Sequence, residues 1–275
     1  GACGVWLNHI DSLMTDELSK TGGGAITIVD SATSSSDLVW AAAAQDAPSG
    51  TAFLVREQTA GRGRRGAGWS SSRGGMYFSM LLRPAISPRL WFGLSFVAAL
   101  AIRQELARCL ANVPVMLKWP NDVLAGGGKL CGILLEARGE VVVIGTGVNI
   151  APVGALPGAK LPATSLAQLG DNTTDPETLA RCYADTLMSR VMAYETDGFD
   201  PVRREWLSHC AHIEGMMRIA RPEQLAAKKA DAEKGGTNNI VEGRFAGLGA
   251  DGALHLMQDD GERHVITTGD VDLVG

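Results

Sequence analysis

No apolar run in these 275 residues reaches the ~18 residues that a membrane-spanning helix needs, although 45% of the chain is hydrophobic. No basic start followed by an apolar stretch reads as a secretion signal. Cysteine is sparse: Cys3, Cys109, Cys131, Cys182 and Cys210, an odd number with no Cys-x-x-Cys spacing. That argues for reduced thiols and a cytoplasmic location. Cys109 and Cys131 sit in apolar patterns and read as small core residues. Excess positive charge is lacking as well. The net charge is −5, which does not favour binding to nucleic acid. No segment repeats. The length allows one large domain plus a small one, or two medium ones.

What positive charge there is gathers in one place. Residues 58–69 read QTAGRGRRGAGW, and residues 118–129 read KWPNDVLAGGGK. Together they bring Arg62, Arg64, Arg65 and Lys129 within potential reach of one anion, with a single carboxylate, Asp122. Four glycines in the first segment, at 61, 63, 66 and 68, each cost about 1 kcal/mol in a helix or strand. The segment is therefore expected to be a loop, mobile when empty and ordered around an anion. Its backbone N–H groups and guanidinium forks suit a phosphate or a carboxylate. Read alone, the loop fits a solvated flexible segment equally well. Trp69 tips the balance, because a flat ring beside cations suits a purine. So does the dense polar motif Trp119-Pro120-Asn121-Asp122 after a strand-like run.

Periodicity and breakers predict the frame. Strands are expected over 25–29, 51–57, 76–82, 115–118, 130–137 and 140–150, the last two adjacent in one sheet. Helices are expected over 11–19, 37–44, 94–110, 175–194 and 202–210. Pro176 and Glu177 mark the start of the fourth helix. A polar turn of small hydroxyl residues, 31–36, precedes the second helix and gives an ordinary N-cap signal. Gly145, Gly147 and Asn149 interrupt the last strand; close approach of a ligand and a β-bulge explain them equally well. A glycine-rich hairpin turn spans 124–129, and a loop spans 152–162. After His212 the pattern turns to short β-like pieces between turn signals, which reads as a small antiparallel barrel or sandwich. Residues 222–236 form a charged insertion. His209 and His212 flank Cys210, but no second ligand pair accompanies them, which favours incidental histidines over a metal site.

The strings GRGRRG with its downstream tryptophan (61–69), KWPND (118–122), GKLCGILLE (128–136) and GTGVNI (145–150) occur in an order and spacing that resemble the biotin protein ligases, over roughly residues 25 to 275. Members attach biotin to a lysine of a carboxylase carrier domain. The resemblance implies an α+β fold: a mixed β-sheet flanked by helices, with a small C-terminal β-barrel domain. It divides the chain into a lead segment (1–24), a catalytic biotin- and ATP-binding domain (25–212) and the small domain (213–275). The lead segment is too short for the winged-helix DNA-binding domain that some members carry, so no operator binding is expected. ATP, biotin and magnesium are the implied cofactors, and a biotin carboxyl carrier protein or domain is the implied partner. DNA and membrane are not expected as partners. A homodimer built by laying sheets side by side remains open.

The family's Ser-Thr-Asn motif for the biotin ureido ring falls on Thr33, Ser34 and Ser35, with Ser35 in place of the asparagine. Thr33 and Ser34 are therefore the candidate contacts. Gln58, whose amide both donates and accepts, joins Gly61, Arg62, Lys129 and Gly132 as implied biotin contacts. Arg62, Arg64, Arg65, Trp69, Asn121 and Asn149 are implied for ATP and the adenylate, and Asp122 for the metal. Lys129, Asp122, Arg64 and Asn121 are the implied catalytic set. Lys118 reads as a strand-end charge outside the site, and Trp119 as core or site alike. Two other readings stay open: a lipoate or other acyl-acid ligase with the same chemistry, and a regulator that binds biotinyl-adenylate without transferring it.

Overall fold

A computed structural model describes residues 26–154, 161–213, 215–220, 240–267 and 269–273. The expected lead-segment helix and the insertion at 222–236 lie outside these residues, as does 155–160 of the expected loop. The described chain builds a seven-stranded mixed sheet and a five-stranded antiparallel sheet. The first sheet comprises β1 (Ile26–Ala32), β2 (Ala52–Gln58), β3 (Met76–Leu82), β4 (Val115–Lys118), β5 (Asp122–Ala125), β6 (Gly128–Arg138) and β7 (Val141–Val148). Their order is β1-β2-β3-β7-β6-β5-β4. Only β1 and β2 run parallel. A parallel pair needs a crossover, and helix α1 (Ser35–Ala43) provides it.

Strand alternation decides what each face of this sheet holds. Met76, Phe78, Met80 and Leu82 of β3 point to one face, with Cys131, Ile133, Ile144 and Val148 from β6 and β7. Helices α2 (Gly93–Cys109), α3 (Pro176–Asp197) and α4 (Phe199–Ser208) close over them. Leu94, Val97, Ala98, Ala101, Ile102 and Leu106 are buried along α2 as their spacing predicts. Asp175 caps α3, accepting from the Thr178 N–H at 2.8 Å, with Pro176 in the first turn. On the opposite face Phe53, Leu81 and Val143 pack under Val39 and Ala42 of α1. One register step further along, this face empties. Ser79 lies opposite Gly145, and Tyr77 lies opposite Gly147, which itself lies opposite Gly132. The missing side chains leave a hollow beside α1.

The second sheet comprises β8 (Met216–Ala220), β9 (Ile240–Leu248), β10 (Leu254–Met257), β11 (Arg263–Ile266) and β12 (Asp270–Leu273), in the order β11-β10-β9-β8-β12. This is the small antiparallel β unit expected at the C-terminal end. Two four-residue strands escape the sequence pattern: β5, which starts inside the KWPND motif, and β12. Turn residues crowd both: Pro120, Asn121 and the glycines at 126–128 around β5, and Gly269 with Asp270 and Asp272 at β12. The option of a bulge in β7 is not realised: its ladder with β3 runs unbroken from Met76↔Val148 to Leu82↔Val142. The irregularity lies in β5, between Val123 and Leu124. Among the described residues no helix is long and apolar enough to cross a membrane.

Candidate active site

The hollow beside α1 is a cavity of about 480 Å³ floored by Ser79, Gly132, Gly145 and Gly147. Its inner end is a group of hydroxyls and one amide. Gln58 Oε1 accepts from the Ser35 N–H at 2.8 Å and from the Ser35 hydroxyl at 3.1 Å. The Ser35 and Ser79 hydroxyls meet at 2.8 Å, and those of Ser36 and Ser79 at 3.3 Å. Gln58 Nε2 donates to Ser71 Oγ at 2.8 Å. Ser34 occupies the N-cap position of α1, but its side chain makes no capping bond; it lines the cavity instead. Thr33 does not line it. That side chain is exposed and donates to Asp37 at 2.8 Å.

The glycine–arginine segment is a small hairpin over the cavity mouth. Trp69 N–H donates to the Gly61 carbonyl at 2.9 Å, Gly63 N–H donates to Ala67 at 2.7 Å, and Arg62 bridges Gly68. Arg64–Gly66 form a 3-10 turn in which Arg65 has φ +55, a left-handed conformation that L side chains rarely adopt. Gly61 sits outside the cavity, in the stem, where a Cβ would lie 2.5 Å from both Ser71 Oγ and the Trp69 carbonyl. Arg62 pairs with Asp37 at 2.8 Å. Trp69 lies on the bare glycine floor: a Cβ on Gly147 would be 2.6 Å from its Nε1, and one on Gly132 would be 2.8 Å from its Cζ3. That close approach explains the small residues in the strand.

All four cations singled out in the sequence, Arg62, Arg64, Arg65 and Lys129, line this one cavity. A second cavity of about 350 Å³ adjoins it, lined by Lys118, Pro120, Asn149 and Val153 among others. Arg64, Trp69, Tyr77, Asn121, Asp122 and Lys129 line both. Trp69 and Lys129 therefore stand at a shared wall, with Lys129 Nζ 5.2 Å from the indole centroid. Lys129 pairs with Asp122 at 2.7 Å, and Arg64 Nη1 donates to Asn121 Oδ1 at 3.4 Å. Asn149 donates to the carbonyls of Thr164 at 2.9 Å and Lys129 at 3.3 Å, so it buttresses the Lys129 strand. Burial pushes the Tyr77 phenol up to about 12; it stays an uncharged donor, to the Ser72 carbonyl at 2.6 Å.

Sequence reasoning missed Ser36, Ser79 and Lys118. Ser79 had a usable signal: it is a hydroxyl in the apolar strand MYFSMLL, in a chain with a second hydroxyl-rich segment at 33–36. Lys118, read as a strand-end charge, is 6% exposed and lines the second cavity. Asp122 is the one carboxylate lining either cavity among the described residues. No group of three His, Cys, Asp or Glu side chains among those residues could hold a metal by itself. Cys210 and His212 are buried, and burial keeps the Cys210 thiol protonated, raised to about 11.

The chain is similar to known proteins in sequence and in fold. Residues 28–149 match the Biotin/lipoate A/B protein ligase family, and residues 234–274 match the Biotin protein ligase C terminal domain. A biotin–[acetyl-CoA-carboxylase] ligase of Paracoccus denitrificans is 37% identical over 234 residues, 81% of this chain and 90% of that protein. The bifunctional ligase/repressor BirA of Escherichia coli is 32% identical over 217 residues, 77% of this chain and 63% of that protein. In fold, the biotin protein ligase from Aquifex aeolicus in complex with biotin and ATP superposes with a TM-score of 0.74 at 22% identity, covering 92% of this chain and 99% of that one. On the extent of the Paracoccus match and the two family models together, the chain belongs to the biotin protein ligase family.

Proposed function

We propose that this chain activates biotin with ATP and transfers it to a lysine of a biotin carboxyl carrier domain. The observation that carries the reading is the shared wall. Two adjoining cavities meet at Arg64, Trp69, Asn121, Asp122 and Lys129, which is the layout a reaction between two bound anions requires. The hydroxyl-lined end beside Ser34, Ser35 and Gln58 suits a ureido group, which both donates and accepts. This moves the biotin contacts from Thr33 and Ser34 to Ser34 and Ser35. The cavity beside Lys118 and Asn149 takes the nucleotide. Biotin's carboxylate attacks the α-phosphorus of ATP; the new O–P bond forms as the bond to pyrophosphate breaks. The ε-amine of the carrier lysine then attacks the acyl carbon, loses its proton and expels AMP.

Each step needs charge neutralised and groups aligned. Lys129, a compact point charge, bridges the carboxylate and the α-phosphate, and Arg64, which lines both cavities, faces the phosphates; Arg62 and Arg65 line only the biotin cavity and add positive charge beside the carboxylate. Asp122, with one carboxylate at the shared wall, fits a magnesium ion held chiefly by the triphosphate; such an ion adds charge neutralisation. Asp122 is also the group placed to take the proton of the incoming amine. The division into a catalytic unit over 25–212 and a small unit over 213–275 belongs to the same reading, as does a cytoplasmic location. DNA has no part in it: the net charge is −5, and the clustered cations line a cavity.

Transfer of labelled biotin to a carrier domain tests this. With ATP and magnesium the wild type should label the carrier, and Lys129→Ala should lose at least about a hundredfold, the scale of removing one preorganised charge. Labelling with lipoate but not biotin would overturn the substrate. Tight biotin binding without any transfer would replace the ligase by a sensor.

A further inference from the structure

Among the described residues, none beyond Ala163 lines either cavity. Yet the strand and turn that carry Lys118, Asn121 and Asp122 are tied at three points to the C-terminal part of the chain. β4 is the edge strand of the large sheet. Its Leu117 N–H donates to the His209 carbonyl at 2.8 Å, and its carbonyl accepts from Ala211 N–H at 2.9 Å. This segment leads directly into β8. Two residues on, the Trp119 indole N–H donates to the Gly252 carbonyl at 3.1 Å. Trp119 is 2% exposed, so that donor has no access to water as a substitute partner. Lys118 sits between these ties, and Pro120, Asn121 and Asp122 follow them.

Gly252 is seated by shape. It has φ +73, and a Cβ there would lie 2.9 Å from Phe92 Cδ2 and 3.0 Å from Phe96 Cε2. Those rings belong to an edge-to-face aromatic cluster with Phe199 and Trp206, with centroids 4.9 to 5.6 Å apart. The turn around Gly252 closes through Gly252 N–H to the Gly249 carbonyl at 3.1 Å. Next to it, Arg203 of α4 donates to the Leu248 carbonyl at 3.1 Å. The small sheet therefore presses one glycine into a fixed aromatic seat, and the carbonyl of that glycine holds Trp119.

We infer that Trp119 and Gly252 are positioning residues through which docking of the small C-terminal sheet sets the geometry of the nucleotide cavity. The inference rests on the ligase reading for its kinetic form, and on the contacts alone for its structural form. Lys118 and Pro120, which flank Trp119, line only the second cavity, while Asn121 and Asp122 further along line both, so the effect falls more on ATP than on biotin.

Trp119→Phe keeps an aromatic, though smaller, ring and removes the donor; Gly252→Ala pushes a methyl against Phe92 and Phe96. Two measurements on the full chain are needed. In ligand-free protein, amide exchange over residues 117–124 should rise about tenfold in both variants, the scale of one net hydrogen bond. In pyrophosphate release, KM for ATP should rise about tenfold while KM for biotin stays within about twofold. Unchanged exchange over 117–124 overturns the inference, and so does an equal rise in both KM values. If the wild type releases no pyrophosphate with biotin, the ligase reading fails, and the exchange measurement alone decides the structural claim.

Discussion

Arg64 reaches across the cavity mouth to Asn121 Oδ1 at 3.4 Å, while Lys129 is held by Asp122 at 2.7 Å. Both cations thus have protein partners that an anionic ligand can displace or share. A loop residue that spans the two cavities retains an intermediate as well as helping to form it. Arg64→Ala is expected to speed dissociation of bound adenylate about tenfold, in line with loss of one charged hydrogen bond. A mutant whose adenylate leaves no faster than the wild type's would sink the idea. The arginines were legible in the sequence because alternating glycines rule out regular structure around them. The hydroxyls were legible only in part. The residues alone gave ordinary N-cap chemistry, the family resemblance put Thr33 and Ser34 forward, and which hydroxyls face the cavity depends on where α1 begins. It begins at Ser35, which buries Ser34 to Ser36 and leaves Thr33 outside with Asp37.

The β6–β7 pair shows what a strand contributes by lacking side chains. Its glycines lie on one face, and their neighbours differ. At Gly145 a Cβ would meet Ser36 Oγ and Ser79 Oγ at 3.4 Å, an ordinary contact; at Gly147 it would meet Trp69 Nε1 at 2.6 Å. Gly145→Ala should therefore leave Trp69 where it is. Gly147→Ala should displace the ring from the shared wall and weaken biotin and ATP together, by about tenfold or more each, the cost of forcing a packed contact open. Titration calorimetry on both variants checks this; equal effects from the two substitutions would contradict it. Long elements with a clear period, such as α2 and β3, were readable from spacing alone. β5 and β12 were not, because turn-forming residues flank or enter them, Pro120-Asn121 and three glycines around β5 and Gly269 with two aspartates at β12, and these outweigh a short apolar run.

The two sheets meet at the 209–213 segment, and there a buried histidine makes the whole molecule sensitive to acid. His212 is 3% exposed. Burial first, and the Lys118 ammonium second, lower its pKa to about 4, against about 6.5 in an unfolded chain. Between those values the unfolded chain binds the proton and the folded one does not. The contribution of neutral His212 is therefore complete above about pH 6.5 and is lost as pH falls toward about 4, to a limit of about 3 kcal/mol. Other groups also lose stability in acid: hydrogen bonds from Thr178 hold the Asp175 carboxyl low, and Arg190 does the same for Glu205. Those carboxylates act mainly below about pH 4.5, where they begin to protonate in the unfolded chain. Burial also lowers His209 and His255, which act in the same window from pH 5 to 6.5, so only a comparison of wild type with a His212 variant separates the contribution of this histidine. His212→Gln, which has no titrating ring, should lose much less stability than the wild type between pH 7 and pH 5 when urea midpoints are compared at the two values. Equal losses in the two proteins would show that the joint between the sheets does not exclude the proton.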